Sequence, residues 1–162
     1  MHEHFSFYPA EKSELYALLR DQLSALMDET LPQVSNLANA SALLYDALCD
    51  LNWAGFYLMH KGELILGPFQ GKTACTRIKV GKGVCGTAVQ QNAIQLVPDV
   101  HAFPGHIACD SASNSEIVLP IHAADGTVAA VLDIDSPLFS RFDEQDAQGL
   151  QSLVSILEKT CF

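Results

Sequence analysis

The stretch EIVLPIHAADGTVAAVLDID, residues 116–135, decides the fold. Two apolar runs, EIVLPIH (116–122) and TVAAVLDID (127–135), flank Asp125-Gly126. Asp-Gly suits a two-residue hairpin turn, because both central positions of a type I′ turn need a positive φ. The two runs therefore pair as antiparallel strands. Upstream, WAGFYLM (53–59) and ELILGPF (63–69) flank Lys61-Gly62, a second tight-turn signal. Two hairpins predict a mainly antiparallel sheet.

Shorter elements surround these hairpins. TRIKV (76–80) reads as a short strand, Gly81 to Gln91 as a glycine-led short helix, and AIQLV (93–97) as a further strand. Near the start, Leu15, Leu18, Leu19, Leu23, Leu26 and Met27 recur at helical spacing. A second helix should begin near Thr30 and Pro32, with Val34, Leu37, Ala38, Leu44, Tyr45 and Leu48 on its buried face. At the end Leu150, Leu153, Val154 and Leu157 line one helical face, with Asp143 as its cap. The order predicts an α+β fold, its terminal helices packed on one face of the sheet. Residues 99–115 show no period, and so long an irregular stretch usually carries function.

At 162 residues the chain is expected to form a single domain spanning 1–162. It is 49% hydrophobic and 17% charged, which suits a packed core and argues against disorder. Nine basic against 19 acidic residues give a formal charge of −10. Such a surface repels phosphate, which argues against nucleic acid and anionic membranes as partners. No apolar stretch approaches the ~20 residues needed to span a bilayer. The N-terminal MHEHFSFYPAEKSE lacks the parts of a signal peptide, so a cytoplasmic location is expected, with thiols initially reduced. Five cysteines without a CxxC fit neither a disulfide framework nor a zinc ribbon.

Cys109 lies in the irregular stretch between His106 and Asp110. A free cysteine is most often a small buried hydrophobe. Here the neighbours are polar and the segment is a loop, which favours a reactive thiol. Cys75 and Cys85 sit beside turns, and either could resolve an oxidised Cys109 if the Cα atoms come within about 7 Å. Cys49 falls on the expected buried face of the second helix and Cys161 is penultimate; both read as structural.

Asp133 and Asp135 interrupt an apolar run, and their spacing of two puts them on one strand face. Their hairpin partner carries Glu116, so all three acids are expected to meet at one end of the sheet. Clustered carboxyls raise one another's pKa, and one can stay protonated as a general acid. Trp53 and Tyr57 also share a strand face, either as core or as an aromatic wall. Gly81-x-Gly83-x-x-Gly86 matches a dinucleotide-binding pattern, but the hairpin-paired strands argue against a parallel sheet, so it is read as a turn. His101, His106 and Cys109 match no common zinc spacing, and no metal is expected.

The strings NWAGFYL (52–58), LGPFQGK (66–72), ACTRI (74–78), GKGVCGTA (81–88), DVHAFPGHIACDSASNSEIVLPI (99–121) and VLDIDSP (131–137) together resemble the free methionine-(R)-sulfoxide reductases, which are stand-alone GAF-type domains. The resemblance runs from about Leu51 to Phe142. It implies a single GAF-like domain that reduces free methionine-(R)-S-oxide to methionine without a bound cofactor. It implies Cys109 as nucleophile, Cys75 or Cys85 as resolving thiol, and thioredoxin as electron donor. Trp53 and Tyr57 would surround the substrate methyl; Glu116, Asp133 and Asp135 would hold the sulfoxide oxygen and the amino group. GAF domains often dimerise. The competing reading is a sensory GAF module binding a cyclic nucleotide, against which residues 99–116 offer three acids and no Lys or Arg.

Overall fold

A computed structural model describes residues 7–106 and 110–162. The elements run α1 (Lys12–Leu26), α2 (Gln33–Ala47), β1 (Trp53–His60), β2 (Glu63–Gly71), β3 (Arg77–Lys79), α3 (Gly83–Gln91), β4 (Gln95–Val97), a 3-10 turn at Val100–Ala102, β5 (Ser115–His122), β6 (Val128–Ser136) and α4 (Glu144–Cys161). The six strands form one sheet in the order β3-β2-β1-β6-β5-β4. Every strand pairing among the described residues is antiparallel, as the two hairpins predicted. No helix among the described residues is long and apolar enough to cross a membrane.

Period-two alternation divides the sheet into two faces. Ala54 and Phe56 of β1, Ile117, Leu119 and Ile121 of β5, and Ala130, Leu132 and Ile134 of β6 pack under α2 and α4, and α1 packs against those two helices on the same side. The intervening Trp53, Tyr57, Val118 and Val131 point the other way and pack with Val84, Cys85 and Ala88 of α3. The expected placement of the terminal helices on one face is correct.

α4 starts where Asp143 suggested. Asp143 accepts from the backbone N–H groups of Gln145 and Asp146, and Asp146 accepts from the N–H of Asp143, closing a capping box. The Asp146 carboxylate is buried and also takes bonds from Lys12 Nζ at 2.6 Å and the Tyr16 hydroxyl at 2.8 Å. Those bonds clamp α1 onto α4.

Several expected faces are corrected. Val34 is 59% exposed, and Ala38 is also exposed. α2 instead buries Asn36, Leu37, Ala40, Ser41, Leu44 and Ala47. This stripe faces the sheet, and the Ser41 hydroxyl on it donates to the Pro68 carbonyl of β2. Cys49 lies beyond the helix end and is exposed, not buried. On α1 the buried stripe is Tyr16, Leu19 and Leu23, while Leu26 in the last turn is 44% exposed.

Candidate active site

Glu116 pairs with Asp135, and Val118 with Asp133, across β5 and β6. This register puts the three acids together on the face away from the long helices, as the sequence predicted. All three line a cavity of about 40 Å³. β1 contributes Trp53 and Tyr57, α3 contributes Lys82 to Cys85, and the segment before β5 contributes His106, Asp110 and Ser113.

α3 reaches the cavity because Gly86 has no side chain. A Cβ there would meet the carbonyl oxygen of Lys79, so only glycine lets the helix start sit against the end of β3. The Gly81 N–H donates to the Gly86 carbonyl at 2.8 Å. The glycine pattern thus builds a tight turn in an antiparallel sheet, as expected.

Glu116 and Asp133 are each 6% exposed. Burial, with the charges of Asp133 and Asp135 nearby, pushes the Glu116 carboxyl well above its usual range. Asp135 is raised by burial and by Asp133. Asp133 is pushed up to about 6 by burial, held back by hydrogen bonds from Cys85 and Glu116. The same burial and the same two acids push the Cys85 thiol up. Crowded like charges in a dry site favour protonated carboxyls, which is the condition for donating a proton to a poor leaving group. Asp133 Oδ1 is buried without a hydrogen-bond partner.

Trp53 and Tyr57 are buried and stack at 5.8 Å, with Phe69 on the far side of Trp53 at 5.2 Å. A Cβ on Gly55 would strike Phe69, so this glycine opens room for the stack. Both rings line the cavity and both hold the segment between β2 and β3. Trp53 Nε1 donates to the Lys72 carbonyl at 3.2 Å, and the Tyr57 hydroxyl donates to the Cys75 carbonyl at 2.9 Å.

Cys75 is disulfide-bonded. Cys49, Cys85 and Cys161 are free thiols. Cys109 lies outside the described residues. His101 turns its ring to Asn114 Oδ1 at 2.9 Å. His106 faces the cavity instead, with Nε2 3.8 Å from Glu116 Oε2. Burial and the neighbouring His101 lower its pKa.

Sequence reasoning passed over a second polar group. Asn52 Nδ2 donates to Asp110 Oδ2 at 3.1 Å and to Ser113 Oγ at 2.9 Å. The Asn52 N–H also binds the Asp135 carbonyl at 3.1 Å. Asn52 thus ties the residue after Cys109 to the acid cluster. Asn52 and Asp110 both lie in quoted motifs, but no spacing signal links residues this far apart.

The GAF domain family matches residues 34–158. The free methionine-R-sulfoxide reductase of Escherichia coli (strain K12) is 57% identical over 148 residues, covering 91% of this chain and 89% of that protein. The protein of the same name from Saccharomyces cerevisiae is 46% identical over 157 residues, covering 93% of this chain and 87% of its own length. The solved structure of the Neisseria meningitidis free methionine-R-sulfoxide reductase in complex with its substrate superposes with a TM-score of 0.90 at 44% identity, covering 98% of this chain and 95% of that one.

Proposed function

Since this chain belongs to the GAF-domain free methionine-R-sulfoxide reductases, we propose that it reduces free methionine-(R)-S-oxide to methionine in the acidic cavity. The observation that carries the reading is the Glu116–Asp133–Asp135 cluster, its first two members buried and Asp135 half-buried, in one cavity with Trp53 and Tyr57. Sulfoxide oxygen leaves only when protonated, and burial favours the protonated form of Glu116.

In this reading the Cys109 sulfur bonds to the sulfoxide sulfur while Glu116 donates a proton to the oxygen. The hydroxyl then passes to Cys109: its bond to the substrate sulfur and the new sulfur–sulfur bond both break, a Cys109 sulfur–oxygen bond forms, and methionine departs, leaving a sulfenic acid. Methionine sulfur gains two electrons, Cys109 sulfur loses two, and the thiol proton of Cys109 restores Glu116. The Cys75 thiolate then attacks the sulfenic sulfur; a disulfide forms and water leaves. A thioredoxin dithiol reduces that disulfide by exchange.

Cys75 is assigned the resolving role over Cys85. Its disulfide in this structure supports this, as do the free thiol and raised pKa of Cys85. Trp53 and Tyr57 enclose the substrate methyl, and Asp133 and Asp135 receive its ammonium group, which a peptide-bound residue lacks. The whole chain, residues 1–162, acts as one GAF domain in the cytoplasm and carries no bound cofactor.

The test is NADPH consumption coupled through thioredoxin and its reductase. The substrates are free methionine-R-sulfoxide, its S epimer and a peptide-bound sulfoxide. Turnover of the free R epimer alone supports the reading. No turnover, with Cys109 shown to be reduced, returns the chain to the ligand-binding class.

A further inference from the structure

Three elements and the segment before β5 bring a thiol, two carboxyls and an imidazole together in the cavity lining. Sγ of Cys85 (α3), a carboxylate oxygen of Glu116 (β5) and one of Asp133 (β6) all lie within 4.8 Å of one another. His106 Nε2 stands 3.8 Å from Glu116 Oε2. Cys85 is 3% exposed, and the His106 side chain 15%. Within this group Asp133 Oδ1 is buried and has no hydrogen-bond donor among the described residues. A cation would favour the ionised forms of these three groups, which burial now holds toward their protonated forms.

We propose that Cys85, Glu116, Asp133 and His106 form a binding site for a thiophilic divalent cation of the zinc class, which would fill the cavity in place of substrate. The donor set selects the metal. Zinc is borderline-soft and takes thiolate, imidazole and carboxylate together in a four-coordinate shell. Magnesium and calcium take oxygen ligands and leave a thiol aside. Ligand atoms of a tetrahedral zinc site stand about 3.4 Å apart, given bonds of roughly 2.0–2.3 Å. Ser113 hydrogen-bonds the neighbouring Asp135 carboxylate and keeps it in the outer layer. The sequence gives no zinc spacing because each ligand comes from a different element. The ion would be an inhibitor and not a resident cofactor. Binding itself stands apart from the reductase reading; only the inhibition rests on it.

The test uses Co²⁺ as a spectroscopic stand-in, added to protein whose Cys75 disulfide is intact and whose Cys49 and Cys161 are replaced by serine. One equivalent should produce an intense thiolate-to-cobalt charge-transfer band, and one equivalent of Zn²⁺ should erase it. Cys85→Ser should remove the band. Glu116→Gln should keep the band and weaken Co²⁺ affinity at least about tenfold, which guards against a misfolded Cys85 variant. With reduced enzyme, Zn²⁺ should raise the KM for sulfoxide and leave kcat unchanged. No charge-transfer band at excess Co²⁺, or a band that survives Cys85→Ser, overturns the site. If no sulfoxide is turned over at all, the reductase reading fails while the cobalt spectrum still judges the metal site.

Discussion

The two faces of the sheet are made by the same strands under opposite demands. On β6, Leu132 and Ile134 enter a core with no exposed surface, beneath α2 and α4. Asp133, between them, enters a cavity where burial works against its charge. One face gains stability from each side chain it hides. The other buries carboxyls against their charge, which in the proposed reaction keeps Glu116 protonated. Separating function from the core in this way lets either face change with little effect on the other.

The largest test of that separation is Cys109→Ser. It should abolish turnover in steady-state kinetics and, with both proteins fully reduced, leave the circular dichroism spectrum and Tm unchanged. An active variant would sink the mechanism. Leu132→Ala attacks the opposite face. It should cost about 2–5 kcal/mol in urea denaturation, for the lost burial and the cavity left behind. Its KM should hold while the chain stays folded.

Asp133→Asn sharpens the contrast through pH. A carboxyl raised from 3.8 to about 6 on folding keeps a proton that the unfolded chain has released. Its contribution to stability is therefore fully present below about pH 3.8 and lost as the pH rises to about 6. Relative to Asp133→Asn, the parent chain should lose at most roughly 3 kcal/mol between these limits. Parallel stability curves for the two proteins would refute a raised Asp133. Substrate binding should weaken in the variant at any pH. The smallest effect belongs to Asn52→Ala, which frees Asp110 and Ser113. Losing those bonds should cost about 1 kcal/mol, read as a roughly fivefold rise in KM with little change in Tm.

Much of the fold was legible because hairpins and strand faces are local matters. Asp125-Gly126 marked the β5–β6 hairpin, although the connection is longer than two residues and only Gly126 of the pair takes a positive φ. The α2 face was misjudged for a tertiary reason. Apolar Val34 and Ala38 stay exposed while Ala40 and Ser41 are buried, and the Ser41 hydroxyl donates to the Pro68 carbonyl of β2, a contact that hydrophobic periodicity does not encode. Cys49 was misplaced by the same assumption carried past the helix end.

By itself the sequence determined which residues share a face: Trp53 with Tyr57, and Asp133 with Asp135. The alternation of a strand follows from backbone geometry and needs no partner. Only the tertiary structure decided how far apart separate elements stand. It set Cys85 beside Glu116 and Asp133 through the bare backbone of Gly86, and it tied the Tyr57 hydroxyl to the Cys75 carbonyl. Distances between elements come from packed surfaces and long-range hydrogen bonds, and no spacing along the chain encodes them.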